Sequence, residues 1–240
     1  GLDIGITTNG TLLKAHLGSL KTSGVTKLNI SLDSLDKDKF YKITGKDKFE
    51  SVMESILMAE EMGFQPLKIK CVVIRGINDD EVLNFIDFVK DRNMNIRFIE
   101  YMPFSGNKWH EGKFIDYLKI KDIIEKEYRL IAFIKNNAEV ANNYRISGNK
   151  GIVSFISSIS DHFCDGCNRL RVTSEGSLKL CLFSPKYKDL DMKNYLRAGN
   201  FSDAEIAEII ECRVQDKVLM HPDISELLKL EKNNMLSIGG

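Results

Sequence analysis

Hydrophobic positions in the first hundred residues switch between two periods. Asp3 to Thr8 alternates Ile4 and Ile6 with smaller residues and turns at Asn9-Gly10, which predicts a strand. Leu12 to Leu20 reads as a helix closed near Gly24, and Leu28 to Asp33 as the next strand. Phe49 to Met62 carries Val52, Ile56 and Ala59 on one helical face and stops at Gly63. A third strand, Leu67 to Ile74, precedes a helix capped by Asp79 or Asp80, with Val82, Phe85, Ile86 and Val89 as its stripe. Ile96 to Met102 is a fourth strand, stopped by Pro103. Strands separated by helices imply parallel βα units with right-handed crossovers, in an open sheet or a barrel arc.

After Pro103 the rhythm changes. A loop with Trp109 and His110 leads to a helix around Lys119 to Tyr128. Tyr144 to Ile159 reads as two strands around Ser147-Gly148-Asn149. Arg171 to Thr173 and Ser177 to Leu182 form a hairpin around Glu175-Gly176, and the rest is helical. Ser202 and Glu205 make a capping box. The expected domains are therefore residues 1–103 and 104–240.

Strands covered by helices on one face and closed into a barrel on the other are usually apolar throughout. Here Asn29, Ser31 and Asp33 share a face of the second strand. Lys68 and Lys70 share one with Val72, and Phe98, Glu100 and Met102 share one on the fourth strand. These sets are expected to face a wet or ligand-filled lumen, because polar groups buried without partners are costly. Thr7, Thr8, Ser31, Asp33, Tyr101 and Met102 lie at C-terminal strand ends, where barrel active sites gather. Singly, each also reads as a turn, a cap, an edge charge or core packing. Their shared position makes the case for a site.

Composition narrows the function. Lys plus Arg is 34 and Asp plus Glu is 34, which gives no support to nucleic-acid binding. No apolar run approaches the roughly 18 residues of a membrane span, and the start has no signal-peptide pattern. Five cysteines, an odd number, point to a reducing, cytoplasmic setting and to metal binding rather than disulfides. Cys164 and Cys167 form a C-x2-C pair, and Cys181 follows after thirteen residues. Three thiolates are one ligand short of a closed zinc or iron–sulfur site. Arg169 and Arg171, alternate residues of an expected strand, share a face beside that vacancy and suit an anion. Lys68 would add a third positive charge for a polyphosphate. A zinc ribbon completed by His162, Cys212 or Cys71 stays open as an alternative. A redox pair would leave Cys181 without a role. Cys71 and Cys212 otherwise read as buried core thiols.

TTNG, NISLDSLD, KIKCVVIRGINDDE, IRFIEYM, FCDGCNRLRVTSEGSLKLCLF and a terminal IGG occur in this order. Together they resemble the molybdenum cofactor biosynthesis protein A family, radical S-adenosylmethionine enzymes also called GTP 3′,8-cyclases. The resemblance implies an α/β fold: an incomplete TIM-like (β/α) barrel of the radical S-adenosylmethionine type. About four of its six strands would lie in this chain, followed by an α+β C-terminal extension. It implies that Cys164, Cys167 and Cys181 hold a [4Fe–4S] cluster whose unique iron binds the guanine of GTP. Thr7, Lys68, Arg169, Leu170 and Arg171 would contact GTP, and Ser31 and Met102 would contact S-adenosylmethionine. Gly239 and Gly240 would reach the active site as a tail. The family reaction starts with reductive cleavage of S-adenosylmethionine at a second cluster. The resulting radical takes a hydrogen from the ribose 3′ carbon, and the sugar radical attacks purine C8. The product feeds the cyclic pyranopterin monophosphate synthase pathway. The C-x3-C-x2-C motif of that second cluster does not occur in this sequence. The expectation is the substrate half of such an enzyme, inactive alone, with a homodimer as its assembly. The alternative is a non-catalytic cluster- or zinc-binding nucleotide module.

Overall fold

The structure, a computed structural model, describes residues 2–104, 107–133, 140–161, 167–184, 189–217 and 224–227. The chain divides into two compact units. One comprises Gly1–Tyr101 with Glu111–Asp161, the other Met102–His110 with His162–Gly240.

In the first unit, strands β1 (Gly5–Thr8), β2 (Lys27–Ser31), β3 (Leu67–Val73) and β4 (Met94–Glu100) are joined by helices and pair in parallel. The connecting helices are α1 (Leu13–Thr22), α2 (Lys37–Thr44), α3 (Phe49–Glu61) and α4 (Val82–Val89). Helix α5 (Tyr117–Glu125) and strands β5 (Leu130–Ala132), β6 (Asn142–Ile146) and β7 (Ile152–Ile156) follow. The sheet order is β1-β2-β3-β4-β7-β6-β5, with β7 parallel to β4 and β6 and β5 antiparallel. The described strands thus make an open seven-stranded sheet, and no closed barrel is found among them.

The local pattern located most of these elements, but not the unit boundary. Residues 111–161 belong with the first unit, where the sequence placed an extension from 104 onward. The reason is non-local. Ile152–Ile156 pairs in parallel with Asn95–Ile99, more than fifty residues earlier, and carries the sheet onward. The short helix α2, of eight residues with Phe40 buried, and strand β5, of three residues, escaped the sequence reading. Asp79 and Asp80 do not cap α4, which is preceded by a 3-10 turn, Asp79–Glu81, without a side-chain cap. The Asp79 carboxylate instead accepts from the Gly76 amide, and Asp80 pairs with Lys39.

One face of the sheet is covered by helices. Leu28, Ile30, Leu67, Ile69, Cys71, Ile96, Phe98, Val153 and Phe155 are buried there against apolar faces of α1, α3, α4 and α5. Phe98 meets Phe85 edge-on at 6.1 Å and stacks on Phe155 at 6.2 Å between centroids. Burying such side chains contributes about 1.5–3 kcal/mol each.

The second unit holds a small three-stranded antiparallel sheet, β8 (Arg171–Val172), β9 (Ser177–Lys179) and β10 (Leu190–Asp191), in the order β10-β9-β8. Helices α6 (Met192–Arg197), α7 (Asp203–Gln215) and α8 (Ile224–Leu227) follow. Leu178, Met192 and Ile206 form its core cluster. The Ser202–Glu205 capping box opens α7 as its sequence signature predicts.

Candidate functional site

The face of the first unit's sheet opposite the helices is polar. Side chains alternate across a strand, so register decides which residues meet on that face. Thr7, Asn29, Lys68 and Asn95 lie in one cross-strand row, and Ser31, Lys70, Arg97, Ser154 and Asn143 in the next. The Lys70 ammonium donates to Thr7 Oγ1 at 3.4 Å. Ser154 Oγ lies 2.9 Å from Asn95 Oδ1 and 2.6 Å from Asn143 Oδ1, inside the sheet. Three cations, Lys68, Lys70 and Arg97, therefore project from the face that carries Thr7 and Ser31.

This arrangement supports Thr7, Ser31 and Lys68 as neighbours and corrects one expectation. Phe98 and Glu100 do not face the lumen. Both are 1% exposed on the helix-covered side. On the face opposite the helices β4 presents Asn95 and Arg97, and the sequence reading missed the cation Arg97. Its alternation with Phe98 was the available signal. The phase is set by Met94, Ile96 and Phe98 entering the core together. Met102 lies beyond the end of β4, where its carbonyl accepts from Asn107 Nδ2 at 2.6 Å.

The ends of β2 and β3 are tied by a buried polar network. Asn78 Nδ2 donates to the Asp33 carbonyl at 2.7 Å and to the Val72 carbonyl at 2.9 Å. Its Oδ1 accepts from the Ile74 amide at 2.7 Å. Asp33 Oδ1 accepts from the Val72 amide at 2.8 Å. Glu81, 3% exposed, accepts from the Leu35 and Asp36 amides at 3.2 and 3.1 Å. These bonds give the GINDDE segment its structural role: it holds the chain that leaves Ser31. Burial pushes the Cys71 thiol up, with the Asp33 and Glu81 charges adding to it.

Burial also raises the Asp33 carboxyl to about 6, against the Val72 amide, which lowers it. The folded state then holds this proton more tightly than the unfolded chain does. The Asp33 contribution to stability is therefore fully present below the unfolded value of 3.8 and is lost as pH rises toward about 6. Asp33→Asn keeps the acceptor and is expected to remove that fall. Denaturant midpoints compared across this window test it. Identical pH slopes for both proteins would contradict the assignment.

In the second unit, Cys167 and Cys181 are free, half-buried thiols. Arg171, on β8, is half-buried between influences. Burial lowers its pKa, the Cys181 and Cys167 thiols oppose that shift, and Arg169 reinforces it. Arg169 is exposed and precedes β8, so the two arginines do not alternate on one strand as expected. The hairpin is too short: its pairing starts only at Arg171 opposite Lys179.

Lys179 is 1% exposed and forms an ion pair with Asp189, itself 5% exposed. Its ammonium lies 3.0 Å from both Asp189 oxygens and 2.8 Å from the Ser184 carbonyl. Ser184 in turn donates through its amide and its hydroxyl to the Cys181 carbonyl, at 3.2 and 3.0 Å. A buried charge pair thus fixes the turn that carries Cys181. Phe104 stacks on Phe183 at 5.9 Å between centroids.

Cys164, His162, Gly239 and Gly240 lie outside the described residues. Among the described residues no group of three His, Cys, Asp or Glu is placed to hold a metal ion. Cys71 is buried as expected, whereas Cys212 is exposed on α7 and is not a core thiol. The apolar face of α7 is narrow, with Ile206 its buried residue, and Cys212 falls outside it. No helix among the described residues is long and apolar enough to cross a membrane.

Comparison with known proteins places these features in a family. The Molybdenum Cofactor Synthesis C model matches residues 94–222, and the Radical SAM superfamily model matches residues 1–89. A protein of Arabidopsis thaliana named GTP 3′,8-cyclase, mitochondrial, is 40% identical over 239 residues, covering 99% of this chain and 60% of its own length. A Listeria welshimeri GTP 3′,8-cyclase is 44% identical over 189 residues, covering 75% of this chain and 55% of its own. Human molybdenum cofactor biosynthesis protein 1 is 39% identical over 236 residues, covering 98% of this chain and 37% of its own. The chain thus spans only part of the length of each of these relatives.

Proposed function

The chain belongs to the Molybdenum Cofactor Synthesis C family, and on that premise we propose that it is part of a GTP 3′,8-cyclase. Its parallel strands are then an arc of a radical S-adenosylmethionine barrel, and its second unit is the cluster-binding extension. The enzyme would convert GTP to 3′,8-cyclo-7,8-dihydro-GTP with S-adenosylmethionine as radical source. The product would pass to the cyclic pyranopterin monophosphate synthase pathway. The sequence has no C-x3-C-x2-C spacing, so radical initiation is assigned to none of its residues. Four free thiols, Cys71, Cys167, Cys181 and Cys212, support a reducing compartment, which we read as the cytoplasm. A homodimer is the assembly we assign.

The observation that carries this reading is the charge pattern. Lys68, Lys70 and Arg97 share one sheet face with Thr7 in the first unit. Half-buried Arg171 lies within electrostatic reach of Cys167 and Cys181 in the second. In the first unit the GTP ligands are Thr7 and Lys68, and in the second Arg169, Arg171 and the Leu170 backbone. Ser31 and Met102 serve S-adenosylmethionine. Gly239 and Gly240 are carried over as catalytic tail residues.

Free, half-buried thiols beside a guanidinium fit a [4Fe–4S] cluster held by Cys164, Cys167 and Cys181. Such a cluster, when bound, supplies an iron position that no protein thiolate fills. The residues around it do the rest. Arg171 offsets thiolate charge, and Arg169 presents an exposed guanidinium suited to phosphate.

Anaerobic reconstitution with iron and sulfide, followed by GTP titration, tests the reading. The chain is expected to take up about four iron ions, and GTP is expected to perturb the cluster's spectrum. Cys167→Ser and Cys181→Ser should each lose most of that iron. Uptake of about one zinc and no iron, with no response to GTP, would make this a structural zinc module instead.

A further inference from the structure

We infer that Lys217 is a charge-compensating, positioning residue of the thiolate site, holding Cys167 and raising the reduction potential of the cluster bound there. The inference rests on the reading of Cys164, Cys167 and Cys181 as cluster ligands. Lys217 follows the last turn of α7, and its side chain is half-buried. Its ammonium lies 3.5 Å from Cys167 Sγ and 2.7 Å from the Arg169 carbonyl, both as acceptors. One cation therefore bridges a ligand thiol and the backbone that leads into Leu170 and Arg171.

The helix that delivers Lys217 is anchored at its other end. Ser202 and Glu205 close its first turn, and Ile206 packs with Leu178 and Met192. The small core of the unit thus sets where the ammonium can reach. The C-terminal end of a helix also favours a cation. A lysine that only satisfied a carbonyl would need the Arg169 oxygen alone. The sulfur contact adds a donor where negative charge stands once the thiol is a metal-bound thiolate. Reduction adds one more negative charge to such a centre. A nearby ammonium, or a hydrogen bond to its sulfur, stabilises the reduced state more than the oxidised one.

The test uses the wild-type chain with Lys217→Met, Lys217→Gln and Lys217→Arg, reconstituted anaerobically. Iron and sulfide are counted, and the midpoint potential is read by electron paramagnetic resonance during a dithionite titration. Lys217→Met is expected to lower the potential by a tenfold shift in the one-electron equilibrium, about 59 mV. Lys217→Gln, which keeps a donor but no charge, should fall between, and Lys217→Arg should stay near wild type. Equal potentials in wild type and Lys217→Met at equal iron content would overturn the inference while leaving the cluster reading intact. If Lys217→Met does not fold, the same comparison with Lys217→Gln decides. A wild-type chain that takes up no iron would overturn the cluster reading, and the inference with it.

Discussion

Replacing Lys179 by methionine is expected to destabilise the second unit by about 3–5 kcal/mol, because it leaves the Asp189 carboxylate buried without its counter-charge. The two groups are 1% and 5% exposed, so water cannot take over the lost contacts. The substitution also removes the donor to the Ser184 carbonyl, and Ser184 holds the backbone of Cys181. Iron uptake on reconstitution should therefore fall together with stability. Trp109, the only tryptophan of the chain, belongs to this unit and reports its unfolding by fluorescence. A double variant, Lys179→Met with Asp189→Leu, should recover most of the stability, since paired apolar groups replace buried ion pairs at little cost. It would not restore the hydrogen bond to Ser184, so its iron uptake should stay low. A loss below about 1 kcal/mol for the single variant would mean that the pair behaves as an exposed one.

Glu100→Leu is expected to cost the first unit at least about 3 kcal/mol. Glu100 Oε1 accepts from the Tyr117 amide at 3.0 Å, and Oε2 from the Ile159 and Ser160 amides at 2.8 and 3.0 Å. The Ser160 hydroxyl donates to it as well. Removing the carboxylate strands three backbone donors, each costing about 1–3 kcal/mol where it is buried. It also frees the start of α5 and the 157–161 segment from the end of β4. Glu100→Gln keeps one acceptor oxygen and should lose about half as much. Amide exchange at Tyr117, Ile159 and Ser160 should speed up in the leucine variant before the rest of the sheet does. Unchanged protection at those three amides would show that Glu100 is not their anchor.

Glu100 also shows where sequence reading failed. It lies among alternating residues, and a carboxylate in a strand reads as a solvent or lumen residue. The structure buries it because four donors from distant segments converge on it, and no local pattern encodes that convergence. Cys212 is the opposite case. An apolar-looking residue on a helix with a narrow buried face ends up exposed. Asp79 and Asp80 carry capping chemistry, yet the Gly76 amide and the Lys39 ammonium are the partners they meet, so the carboxylates serve a turn and an ion pair.

The periodicities of the sequence alone determined the βα rhythm of the first hundred residues, the α7 capping box and the hairpin around Gly176. Each is a local signal, written in spacings of two or of three to four residues. The motif order alone also carried the family resemblance. Tertiary structure decided the rest. Parallel pairing of β7 with β4 moved residues 111–161 into the first unit. Strand register placed Thr7, Ser31, Lys68, Lys70 and Arg97 on one face. Burial made Glu100, read from the sequence as lumen-facing, an anchor of the β4 end, and made Lys179 an anchor of the Cys181 turn. Register and burial depend on partners many residues away, and a one-residue slip in register would exchange the two faces of a strand.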